Sequence, residues 1–201
     1  KVEHTMAISF YLYWDWIYSV WGWLFFILPV VAFIFLIIGC SDLKKDERNF
    51  ESVNFLNIIA IILLAWSIVS QFLPSIMFSY SMPEYIIGLT YRATLAVLNH
   101  VIYIIFGIAL IIFGSKNKEH WGSISLSAGI LLITSWGLSL TYNLGFGTIL
   151  IIRWIILILS VVGAILILVY TILLKKVFMI IFAAILLSYG ILNLLNLANI
   201  I

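Results

Sequence analysis

The sequence predicts an all-α integral membrane protein: six transmembrane helices arranged as three helical hairpins, behind an aromatic, interfacial N-terminal segment. Three observations predict it. Hydrophobic residues make up 65% of the chain and charged residues only 9%. A soluble domain carries about a quarter charged residues, so this composition cannot coat a surface that faces water. The apolar residues also fall into six runs, each near the length of about 20 residues that a helix needs to cross a bilayer core. Finally, no run alternates apolar and polar residues over about ten positions, as a membrane barrel strand would.

The first element is the segment 1–16, set apart from a six-helix domain at 17–201. The stretch "AISFYLYWDWIYSVWGW", which runs from this segment into the first span, carries Tyr11, Tyr13, Trp14, Trp16, Tyr18, Trp21 and Trp23. Such rings gather at headgroup depth, where an apolar body and a polar tip are both satisfied. An interfacial helix or an outward extension of the first span is expected, with a subunit contact as the alternative. The chain opens on Lys1 rather than Met, which is read as processing or as a start further upstream.

The spans are expected at about 17–40, 55–78, 93–114, 122–143, 149–174 and 177–199. Spans 4 and 5 are separated by "LGFGT" and spans 5 and 6 by "KK", so these neighbours must be antiparallel. The longest charged break is "GCSDLKKDERNFESVN" at 39–54, whose acids and bases nearly cancel. That balance suits a solvated loop better than a lipid-phosphate clamp. Cys40, the one cysteine, is read as a small buried hydrophobe, with lipidation as the alternative.

Seven of the ten basic residues (Lys44, Lys45, Arg48, Lys116, Lys118, Lys175 and Lys176) lie in alternate loops. The positive-inside rule places those loops in the cytoplasm and both termini outside the cell membrane. "FLIIGCSDLKKDE" and "ALIIFGSKNKEHW" are alike enough to raise a three-fold hairpin repeat. Span 4, with Ser123/Ser127 and Ser125/Gly129 at small-xxx-small spacing, is expected to be the central, most buried helix. Spans 1 and 5, apolar all round, are expected to face lipid or another subunit.

No metalloprotease, nucleophile-elbow, phosphate-loop or dinucleotide motif appears, so no enzymatic activity and no cofactor are expected. Haem ligation by His100 would need a ligand from another chain, and a copper site at His4 and Met6 would have only two ligands. The candidate site is a polar cluster in the outer half of the membrane: Asn99, His100, Asn143, Arg153, Asn193 and Asn196. Polar residues inside spans either join helices or line a path for solute, ion or headgroup. The functional expectation is a non-catalytic membrane subunit packed within a larger assembly. Its alternative is a small-solute or ion transporter or channel using the polar cluster. Membrane lipids and other membrane subunits are the expected partners, and nucleic acid is not.

Overall fold

The computed structural model describes residues 20–45, 50–78, 84–118, 121–141 and 150–197. These form six helices: α1 (Val20–Leu43), α2 (Phe50–Phe78), α3 (Glu84–Lys116), α4 (Gly122–Thr141), α5 (Leu150–Leu174) and α6 (Val177–Leu197). Each is long and apolar enough to cross a membrane. In lipid the helix is the natural choice, because it satisfies every backbone polar group within one segment. The aromatic segment 1–16 and Asn143 lie outside the described residues.

Helices adjacent in sequence are adjacent in space, and α6 returns to pack on α1, so the six close into a ring. The cross-links run antiparallel at each seam they mark. Ser52 meets Asn117 and Trp66 meets Asn99 between α2 and α3, while Ser135 meets Ile156 between α4 and α5. At the closing seam a side chain on Gly39 of α1 would lie 2.5 Å from Met179 Sδ on α6. The three expected hairpins, α1–α2, α3–α4 and α5–α6, each pack as neighbours, and these seams join them edge to edge.

The middle of the ring is filled. Phe33 on α1 packs against Tyr103 and Phe106 on α3 and Phe182 on α6, with ring centroids 6.3–6.5 Å apart. Phe106 and Phe182 complete that triangle at 6.2 Å. Nearer one end, Phe113 on α3 meets Tyr170 on α5 at 6.1 Å. Tilted and edge-on aromatic pairs of this kind contribute about 0.5–1.5 kcal/mol each beyond their burial.

Several expectations need correction. The helices α1 and α2 reach into the charged break: α1 continues to Leu43 and α2 begins at Phe50. Cys40, Leu43, Val53 and Leu56 are all fully buried there, so packing rather than charge sets the helix ends. Cys40 takes the small-hydrophobe role. α3 begins at Glu84, well before residue 93. The polar residues of 84–92 resembled a loop, but a helix can project beyond the hydrocarbon without breaking its own hydrogen bonds. Nor is α4 the most buried span. It has 28% of its span buried against 39% for α2 and α3, and Ser123 and Ser127 point outward. α1, expected at the periphery, supplies the central Phe33.

Candidate functional site

The middle hairpin is built on close backbone approach. A side chain on Gly129 would lie 2.6 Å from the Gly107 carbonyl oxygen and 2.8 Å from Ile111 Cγ1. One heptad further along, Gly114 and Gly122 are closer still, each blocked by the other's carbonyl oxygen. Between these two contacts Ser125 Oγ donates to the Leu110 carbonyl, 3.0 Å away. Small residues let backbones touch, and dispersion across such a seam drives association where lipid removes the hydrophobic incentive.

A further heptad towards the opposite end, the same two faces carry His100 and Trp136 instead of glycine. The seam is filled here by a stack of rings. His100 is 5% exposed; its Nε2 lies 2.8 Å from Ser139 Oγ, and its ring meets Trp136 edge-on at 5.4 Å. Trp136 in turn stacks on Tyr103 at 4.4 Å, nearly parallel. Beside this stack, Trp66 Nε1–H donates to Asn99 Oδ1 at 3.0 Å and ties α2 to α3.

The six expected site residues divide accordingly. Asn99 and His100, consecutive on α3, reach two different neighbours, α2 and α4. Asn193 Nδ2 donates to the Tyr189 carbonyl of its own helix at 2.8 Å. Asn196 and Arg153 are exposed, the latter one turn from the start of α5, where a long side chain can reach the membrane surface. Asn99 and His100 thus share one polar-aromatic cluster, while the bond drawn for Asn193 stays within α6.

Sequence reasoning missed the partners: Trp66, Tyr103, Trp136 and Ser139. One signal pointed to them. His100, Gly107 and Gly114 recur by heptads on α3, and Gly122, Gly129 and Trp136 do so on α4. Two heptads of glycine running in opposite directions define the register, and that register sets His100 opposite Trp136.

Polar groups elsewhere in the ring also connect helices. Ser135 Oγ donates to the Ile156 carbonyl at 2.9 Å and lies 2.8 Å from Ser160 Oγ, joining α4 to α5. Asn117 Nδ2 donates to Ser52 Oγ at 3.1 Å and to the Phe113 carbonyl at 2.8 Å, joining the α3 end to α2. Among the described residues, no group of three or more His, Cys, Asp or Glu is placed to hold a metal ion.

No family model, curated protein or solved structure matches this chain. The class of protein is therefore defined by the fold itself: a multi-spanning membrane protein whose six described helices close into a ring.

Proposed function

We propose that the chain is a non-catalytic membrane subunit that packs within a larger membrane protein assembly. The observation that carries this reading is the filled centre of the ring, where Phe33, Phe106, Phe113, Phe182 and Tyr170 are at most 3% exposed. Closely packed rings favour a solid centre over an axial path, and polar groups such as Ser135 and Asn117 connect one helix to the next. A transport path would instead leave polar groups facing a shared water-filled space.

The outer face of α4 agrees with a partner. Ser123, Ser127 and Thr134 are exposed on it, and nothing lies within 4 Å of the position a side chain on Gly137 would take. Most other described glycines hold close contacts within the chain. Glycine in a helix costs about 1 kcal/mol relative to alanine, and small outward residues suit a neighbouring helix better than they suit lipid.

Purification in a mild detergent, followed by mass spectrometry of co-purifying chains, tests the proposal. Stoichiometric partner chains are expected, and Gly137→Leu should release them while the ring stays folded. A homogeneous population of this chain alone, with solute flux after reconstitution that His100→Leu abolishes, would replace the subunit reading with the transporter.

A further inference from the structure

Lysines cluster at one end of the ring, but the three turns there are not equivalent. In the turn after α1, Lys45 Nζ pairs with Asp42 Oδ1 at 3.1 Å and Lys44 Nζ donates to Asn54 Oδ1 at 3.0 Å. Asp46, Glu47 and Glu51 add further negative charge to that stretch of sequence, against Arg48. Its lysines are engaged by the chain's own groups.

The other two turns differ in their charge balance. Lys116 ends α3 and Lys118 follows it, both exposed. Lys175 and Lys176 make the whole connection between α5 and α6, with Lys175 exposed and left-handed at φ 55°. Over 115–121 and 175–176 the sequence places four lysines against one carboxylate, Glu119. α4 packs between α3 and α5, so the two turns flank its first residues. There Trp121 is 58% exposed, also left-handed at φ 64°.

Depth decides what these groups meet. Leu174 and Val177 both belong to membrane spans, so a two-residue turn cannot rise above the membrane surface. Lys116 likewise closes its span. Ammonium groups held there lie at headgroup level, where an indole such as that of Trp121 is also at home. A soluble acidic partner would have to descend to reach them, whereas a phosphate headgroup is already at that depth.

We propose that the α3–α4 and α5–α6 turns form a docking surface for anionic phospholipid headgroups, with Lys116, Lys118, Lys175 and Lys176 supplying the charge and Trp121 the interfacial anchor. The α1–α2 turn takes no part. The inference needs only the six-span fold and is independent of whether the chain is a subunit.

The test is native mass spectrometry of the intact chain in neutral detergent, titrated with phosphatidylglycerol and, separately, phosphatidylcholine. Phosphatidylglycerol should bind preferentially, and the preference should shrink as salt rises, because screening shortens the reach of surface charge. K116Q/K118Q should lower the preference by about fivefold per lysine removed, the order expected of a basic residue near an anionic surface. K44Q/K45Q should leave it unchanged. Equal binding of the two lipids by the parent chain would overturn the proposal. So would an unaltered preference in K116Q/K118Q, or an equal loss in K44Q/K45Q. Circular dichroism of each variant confirms that the helices persist, and glutamine removes the charge while leaving a flexible polar side chain.

Discussion

Gly107 and Gly129 face each other so closely that neither position has room for a side chain, while Gly137, on the same helix as Gly129, has open space. These two environments make opposite predictions for one substitution. Gly129→Ala should destabilise the fold by about 1–3 kcal/mol, the usual cost of overpacking. Gly137→Ala should leave the isolated chain unchanged or raise its stability by up to about 1 kcal/mol through helix propensity. Unfolding in detergent with a graded denaturing surfactant measures both, and equal effects would contradict the register described above. Lys175 offers a third case. An L-residue in the left-handed region carries a cost of about 1–2 kcal/mol, so Lys175→Gly should raise stability by roughly 1 kcal/mol. Asn99 and Asn193 separate in the same way. Asn99→Leu strands the Trp66 N–H and should cost about 1 kcal/mol, whereas Asn193→Leu removes bonding that stays within α6 and should cost less.

At the scale of the helix, the sequence was most legible where composition alone decides the outcome. Six spans and their hairpin pairing follow from apolar run lengths and from turns too short to allow anything else. The helix ends were less legible. Leu43 and Val53 look like parts of a charged loop, yet both are fully buried, and burial is a property of the partner helix as much as of the residue. The polar cluster was half legible for a related reason. Asn99 and His100 stand out as polar residues in an apolar run, but Trp136 and Tyr103 do not, since aromatic rings are common throughout this chain. Only the heptad spacing of glycines relates the two sets. Shifting α4 by one turn against α3 would separate His100 from Ser139, so Ser139→Ala should lower stability by about 1 kcal/mol in the parent and by less in a Gly129→Leu background. A double-mutant cycle over these positions measures that coupling.

For the whole molecule, closure of α6 onto α1 matters more than any single pair, and Phe33 touches both sides of it. Phe33→Ala should cost about 3–5 kcal/mol, as deletion of a buried ring does, and should loosen the α1–α6 seam before the α3–α4 seam. Disulfide trapping between cysteines placed at Gly39 and Met179, in a Cys40→Ser background, would report that order. Orientation is a separate question at this scale. If the lysine-bearing turns face the cytoplasm, Ser41→Cys in the same Cys40→Ser background should resist a membrane-impermeant thiol reagent applied to intact cells, and ready labelling would invert the threading.

A closed circle of antiparallel helices has no intrinsic first member. The seam between α6 and α1 joins helices that are not consecutive in the sequence, and the start of α1 and the end of α6 lie at the same membrane face. A circularly permuted gene should therefore encode the same object: a short flexible bridge from Leu197 to Val20, with new ends opened between Phe78 and Glu84. The even number of crossings is preserved, so the new ends emerge on the same face as the old ones. The α3–α4 hairpin would then be made first by the ribosome and α1–α2 last, and the finished ring should melt at nearly the same temperature.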